Sequence, residues 1–321
     1  MKLLSWLVYI PLQIIILPLS IVGVILVAYR QMLVSKRLAV SQTAIEVFNG
    51  RWTLHVFGMR NDPGAAKLGP LLPNTSTIGL WLTLLPLWLK AKIAGAPAIY
   101  PRRVKPGHET VMDLITGRTV YFDHLTSKQL PHVEQFVLLG AGMDTRPYGA
   151  LNVESVKVFE LDQYAMQQLK RDTLNKASIS ASHVTFLSVD FAHEDLFTKL
   201  AATNYDRNKK TLFLWEGVTL YISEMVVRDT FAKVRANSAV GSVLLADIYS
   251  KQLVSLMQSR PGRKMLHYTN EGVHFSLNFD KGWENELRTF VESTGFTPGE
   301  TFFMGTQSRK GPFMVVAEMV V

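Results

Sequence analysis

From Leu3 to Tyr29 the chain carries no charged side chain, and its only polar ones besides tyrosine and tryptophan are Ser5, Gln13 and Ser20. About 20 apolar helical residues cross the hydrocarbon core of a bilayer, so this run predicts a transmembrane helix. Pro11 and Pro18 are expected kink points, and a re-entrant hairpin is the alternative. A cleaved signal peptide fits less well, because the run is long and no small-x-small site precedes Arg30. A second uncharged stretch covers 68–89, but Pro70, Pro73, Asn74, Thr75 and Ser76 dilute its first part. The remaining segment, Ile78 to Leu89, is too short to span. It contains Trp81 and Trp88 and is followed by Lys90 and Lys92, which reads as a helix lying in the membrane interface or as an amphipathic helix packed on the rest of the chain. Asn74-Thr75-Ser76 matches a glycosylation sequon that is inert on a cytosolic face.

Beyond about residue 110 the pattern changes to short β-rich runs alternating with helical stretches. Phe136–Gly140, Val156–Leu161, Val184–Val189, Leu212–Trp215 and Ser242–Ile248 read as strands, with helices over Gln163–Leu174 and Ser223–Val234 among the intervening segments. Such alternation predicts a parallel sheet covered by helices on both faces. Thr301–Met304 and Phe313–Val320 are separated only by Gly305–Pro312, which suits an antiparallel hairpin. The expected fold is α/β: a class I methyltransferase, Rossmann-like sheet, mostly parallel, with a C-terminal antiparallel hairpin. It is preceded by an anchor over 1–30 and a basic, helical, membrane-proximal region over 31–109, the catalytic domain occupying 110–321.

Composition sharpens this picture at two points. The chain has 321 residues and no cysteine, which excludes disulfides, thiolate metal sites and cysteine nucleophiles. The formal net charge is +8, yet residues 30–105 contain eleven Lys and Arg against only Glu46 and Asp62. The excess therefore belongs to the membrane-proximal part, where anionic headgroups are a simpler partner than nucleic acid. With Arg30, Lys36 and Arg37 following the apolar run, the positive-inside bias puts the catalytic part on the cytoplasmic side, single-pass or monotopic. The eight histidines show no metal-ligand spacing, and no metal is expected.

Phe136-Val137-Leu138-Leu139-Gly140-Ala141-Gly142 is an apolar strand running into a Gly-x-Gly turn, where the backbone can approach a ligand. Val158-Phe159-Glu160-Leu161-Asp162 follows, and a carboxylate at the tip of a second strand can accept both hydroxyls of an adenosine ribose. NAD and S-adenosylmethionine share that need. Thr145 stands where a dinucleotide fingerprint wants a third small residue, and this favours the cofactor that lacks a pyrophosphate.

Leu138-Leu139-Gly140-Ala141-Gly142-Met143-Asp144-Thr145-Arg146 resembles the glycine motif of the leucine carboxyl methyltransferase-like family of S-adenosylmethionine-dependent O-methyltransferases. Phe159-Glu160-Leu161-Asp162, Ser188-Val189-Asp190-Phe191 and the segment from Leu214 to Ile222 resemble its following motifs, and Arg118-Thr119-Val120-Tyr121-Phe122-Asp123 is similar to its Arg-Thr-Arg-Phe-Phe-Asp entry segment. The resemblance covers roughly 110–321. Val120 replaces an arginine and Phe191 a leucine, while the first hundred residues have no counterpart among soluble relatives, so a borrowed substrate does not follow.

The resemblance implies S-adenosyl-L-methionine as cofactor. Arg118 is then expected on its carboxylate, Gly140, Ala141 and Gly142 along the methionine backbone, and Asp162 on the ribose. Asp190 and Phe191 are expected on the adenine and Glu216 on the ammonium. Asp144, Thr145 and Arg146 are expected to brace the glycine turn. The catalytic residues stay unknown, since an ionised carboxylate acceptor needs no base and a hydroxyl needs one; Tyr121, His124 and Tyr221 are the candidates. The expected acceptor is a lipophilic carboxylate or hydroxyl compound. A nicotinamide-dependent oxidoreductase and a non-catalytic membrane scaffold are the rival readings.

Overall fold

The computed structural model describes residues 2–191, 193–259, 272–280, 282–305 and 313–321. Seven strands form one sheet: β1 (Gln135–Leu139), β2 (Lys157–Asp162), β3 (Val184–Ser188), β4 (Thr211–Trp215), β5 (Val243–Tyr249), β6 (Thr297–Met304) and β7 (Met314–Val320). Their order is β3-β2-β1-β4-β5-β7-β6. The first five run parallel, whereas β7 pairs antiparallel with both β5 and β6. This is the class I methyltransferase sheet. The Gly305–Pro312 connection lies, apart from Gly305, outside the described residues.

Every residue of β1, β4 and β5 is buried, as strands covered on both faces require. Successive side chains of β1 feed opposite cores. Phe136 and Leu138 pack with Ile45, Phe48, Trp52 and Phe122, whereas Val137 and Leu139 pack with Val227, Phe231 and Phe290. The first of these cores is built from α3 (Gln42–Val56) and α6 (Leu114–Gln129) as much as from the sheet. Packing therefore runs without a break across residue 110.

Ahead of the sheet, α1 (Lys2–Ala28) runs through Pro11 and Pro18 as one helix, continues as a π-helical turn (Tyr29–Val34) and ends in α2 (Ser35–Arg37). After α4 (Pro63–Leu68), α5 (Thr77–Ala94) is an 18-residue helix started by Ser76, whose hydroxyl accepts the Gly79 N–H. By length and composition α1 and α5 could each cross a membrane. The two pack antiparallel. Ser20 donates to the Leu82 carbonyl at 3.0 Å, Lys90 donates to Ser5 at 3.2 Å, and its ammonium lies 4.2 Å from the Trp6 ring centre. Gly23 and Gly79 make the close approach possible, since a Cβ on either would lie under 3 Å from the other's carbonyl oxygen.

This arrangement corrects the reading of Ile78–Leu89 as a helix lying in the membrane interface. Trp81 stacks edge-on against both Trp52 and Trp88, and the Trp88 indole donates to the Val56 carbonyl at 3.2 Å. The tryptophans face α3, so α5 is the packed helix of the two alternatives. The sequon is also internal. Asn74 is fully buried and donates to Ser35, while Thr75 donates to Asn49. Its acceptor nitrogen is unreachable on either side of a membrane.

Candidate active site at the carboxyl ends of the parallel strands

The glycine turn leaves β1 with Gly140 at φ +70° and Gly142 at φ +46°. A Cβ at Gly140 would meet the Val218 side chain at 2.4 Å, so the turn and the loop after β4 interlock only with glycine there. Asp162, at the tip of β2, accepts the Gly142 N–H at 2.6 Å and the Gln163 N–H at 2.7 Å. Burial raises its carboxyl above the ordinary aspartate range, and the two backbone donors oppose that rise. Asp190 lies past the end of β3, where His193 contacts its carboxylate at 2.9 Å; Phe191 tilts against Trp215 with ring centres 6.3 Å apart. The resembling residues thus gather at the carboxyl ends of β1 to β4, where open parallel sheets bind their ligands.

Beside them lies a buried charge network that the motifs alone did not reveal. Glu216, following β4, accepts from Arg51 at 2.9 Å and from Arg146 at 2.8 Å, and Arg118 comes within 3.4 Å of its other oxygen. Arg51 also reaches Asp144 at 3.2 Å, and Arg146 bonds both Asp144 and Asp123. Arg118 donates to Asp247 at 3.1 Å and to the Tyr249 hydroxyl at 2.6 Å. Arg60 ties Asp62 and Asp123 into the same cluster. Asp144, Thr145 and Arg146 brace the glycine turn, as expected of them. Arg51, Arg60, Asp62, Asp247 and Tyr249 were missed. Of these, Arg51 and Arg60 were read from charge counts as part of a lipid-facing basic region, yet both are turned inward and buried.

Burial alone would raise the Glu216 carboxyl, but Arg51, Arg146 and Arg118 overcome it and hold it down at about 2. The connected cluster contains four guanidiniums, Arg51, Arg60, Arg118 and Arg146. It holds five carboxylates, Asp62, Asp123, Asp144, Glu216 and Asp247. Its net charge is −1, which suits a cationic ligand. Arg118 Nε and Glu216 Oε1 are both buried without a hydrogen bond. One is a donor suited to a carboxylate and the other an acceptor suited to an ammonium, so the residues fit a zwitterion that also carries a sulfonium.

The three proposed acid–base side chains do not converge. Tyr121 is buried, bonds Glu109 and stacks on Phe302 at 4.7 Å, its hydroxyl pushed up by burial and by Glu109. His124 is exposed and 3.6 Å from Glu300 on the outer side of α6. Tyr221 alone is near the network, close to Arg118 and Tyr249.

A sheet of this order, with a glycine turn, a carboxylate at the tip of its second strand and a buried ionic crevice at its parallel strand ends, has the architecture of the class I methyltransferases. Residues 87–235 match the leucine carboxyl methyltransferase family model. The match begins inside α5, upstream of the boundary read from the motifs. Among relatives, a Streptomyces avermitilis protein assigned by name to the S-adenosyl-L-methionine-dependent methyltransferases is 30% identical over 190 residues, 57% of this chain and 66% of that one. A Streptomyces coelicolor protein so named is 34% identical over 185 residues, 56% and 65% of the two chains. The matched stretch thus spans just under two thirds of these relatives. A so-named Mycobacterium avium protein is 24% identical over 266 residues, 82% of this chain and 84% of the relative.

Proposed function

We propose that this protein is a membrane-associated, S-adenosylmethionine-dependent methyltransferase that methylates an oxygen of a lipophilic acceptor. S-adenosylmethionine is the cofactor of the family it matches. The reading rests on one observation above the rest: Arg118 Nε and Glu216 Oε1, of opposite charge and 3.4 Å apart, are buried beside the glycine turn without a hydrogen bond.

When bound, S-adenosylmethionine supplies an already activated methyl group. The chain's residues would hold it at both ends: Arg118 and Glu216 at the zwitterion, the backbone of Gly140, Ala141 and Gly142 alongside, Asp162 at the ribose, and Asp190 and Phe191 at the base. α3 lies over the glycine turn, where a Cβ on Gly142 would sit 3.3 Å from Ala44. It shields the crevice from water, which strengthens each charge interaction inside.

Membrane association rests on α1. Leu3, Leu7, Ile10, Ile14, Ile15 and Ile25 are each more than half exposed on its outer side, a larger apolar face than water tolerates. The antiparallel pairing ends α5 near the start of α1, and Tyr100, six residues after Ala94, lines the same cavity as Val24 and Val27. If α1 crossed the bilayer, the irregular backbone of 95–100 would lie in hydrocarbon, where each unpaired peptide group costs several kcal/mol. The arrangement favours a monotopic hairpin, with the outer face of α1 in one leaflet. Exposed Arg30, Lys36, Arg37 and Lys92 are then available to anionic headgroups.

Calorimetric titration of the detergent-solubilised chain tests the core of the reading. S-adenosylmethionine and its demethylated product are expected to bind, and NAD is not. Binding of NAD alone would make the protein an oxidoreductase, and binding of neither would leave a scaffold.

A further inference from the structure

A cavity of about 370 Å³ lies between the α1–α5 hairpin and α3, within the size range of small-molecule sites. None of the motif residues lines it. Its apolar wall comes from α1, whose outer face is the proposed membrane face, and from α5 packed against it: Val24, Val27 and Ala28 of α1, and Leu80 and Leu84 of α5. Its inner end is polar, with Gln31, Asn49, Thr53, Tyr100 and one carboxylate, Glu46. Among the described residues Glu46 has no hydrogen-bond or ion-pair partner.

The geometry points to this cavity as the acceptor site, taking a long-chain amphiphile that carries a neutral hydroxyl, with Glu46 as the base that accepts the hydroxyl proton. The inference rests on the methyltransferase reading and deepens it. Ile115 lines the cavity, and Arg118, one turn further along α6, connects it to Glu216 in the crevice. Arg118 is also the charge that acts on Glu46. An amphiphile entering from the leaflet would slide its chain between α1 and α5 and bring its head to that end.

The lining decides the head group. It contains no lysine, arginine or histidine, and Arg118 is already engaged by Asp247, Tyr249 and Glu216. A carboxylate would therefore meet Glu46 with no cation to pair it. An amine beside Glu46 would be held as its ammonium, which has no lone pair to attack with. A hydroxyl is uncharged and needs a base. Its oxygen forms the O–CH3 bond as the S–CH3 bond breaks, the bonding pair stays on sulfur, and the proton passes to the Glu46 carboxylate. Burial raises the Glu46 carboxyl, with Arg118 opposing, and Tyr100, itself pushed up to about 12 by burial, Glu46 and Asp113, is the other titratable group in the lining. A base nearer neutrality accepts protons more readily.

The full-length protein in detergent tests this with three probes, 1-dodecanol, dodecanoate and dodecylamine. Binding is measured by displacement of a fluorescent long-chain alcohol, and turnover by transfer of labelled methyl. The alcohol should bind about tenfold or more tightly than dodecanoate, and Glu46→Gln should remove that preference by admitting the acid. The same variant should lose about 10²–10⁴-fold in turnover of the alcohol while binding S-adenosylmethionine normally. Ala28→Trp fills the cavity from its α1 wall and should abolish probe binding with cofactor affinity unchanged. Equal wild-type binding of acid and alcohol, full turnover by Glu46→Gln, or fastest turnover of the amine would each overturn the assignment. A wild-type chain that binds no S-adenosylmethionine would instead overturn the underlying function.

Discussion

Arg51 is the one side chain of α3 that enters the buried ion-pair network, so Arg51→Met asks whether the N-terminal region is part of the catalytic fold. The guanidinium pairs Asp144 and Glu216, and all three side chains are within about 5% of full burial. Removing one partner of a buried pair costs about 3–5 kcal/mol. Both carboxylates keep Arg146, which places the expected loss at the lower end, about 3 kcal/mol. At about 2–4 °C per kcal/mol for a domain of this size, Tm should fall by about 6–12 °C. The acid limb adds a second reading. Glu216 titrates at about 2 in the folded chain against an ordinary value of 4.5. A lowered folded value means stability that is present above pH 4.5 and lost as the pH falls toward 2, on the order of 3 kcal/mol. Without Arg51 that value rises, so the acid transition should move to higher pH. Circular dichroism melts in detergent at neutral pH, with an acid titration at fixed temperature, measure both. Arg51→Lys should recover only part of the loss, because one ammonium cannot reproduce the planar fork. An Arg51→Met protein with wild-type Tm and an unshifted acid transition would refute the network as the tie between α3 and the sheet.

Asp162→Ala should weaken S-adenosylmethionine binding by about 1.5–3 kcal/mol per charged hydrogen bond lost to the ribose, read by calorimetry; unchanged affinity in a folded variant removes Asp162 from the site. Lys170 and Glu160 form a buried pair at 2.7 Å, so Lys170→Met should cost about 3–5 kcal/mol, whereas Lys170→Met with Glu160→Leu should cost less than the single variant. Burial pushes Glu160 up to about 7 against Lys170, a contribution fully present below pH 4.5 and lost as pH rises through 7. The single variant should therefore lose stability with rising pH more steeply than wild type, and a parallel pH profile would count against it. Trp81→Ala should lower stability by about 2–3 kcal/mol through lost packing on Trp52 and Trp88; a variant that only loses vesicle binding, with its melt unchanged, would restore the interfacial reading of α5.

The parallel strands were legible because a strand buried on both faces must be apolar along its whole length. Phe136–Leu139 and Leu212–Trp215 announce themselves in any window. The glycine turn was legible because only glycine tolerates the φ values at 140 and 142. Arg51 and Glu46 were not legible. Each lies in α3, a largely buried helix with no local motif, and its meaning comes from partners 93 and 165 residues away for Arg51 and from a cavity wall for Glu46. The tryptophans of α5 misled for a related reason: Trp and Lys beside an apolar run mark a membrane interface and a packed helix with the same residues.

The linear order of residues by itself determined the sheet, its closing hairpin, the family motifs and an N-terminal apolar helix, because these follow from local periodicity and backbone sterics. Only the tertiary structure decided that part of what looked like a basic, lipid-facing appendage is core. Arg51 and Arg60 spend their charge on buried carboxylates, and α5 spends its tryptophans on α3. Charge and apolarity are read from a sequence as amounts, but whether a group meets water, lipid or a counter-charge depends on which distant element folds against it. That is why the crevice could be anticipated from its glycines and acids, and the cavity beside it could not.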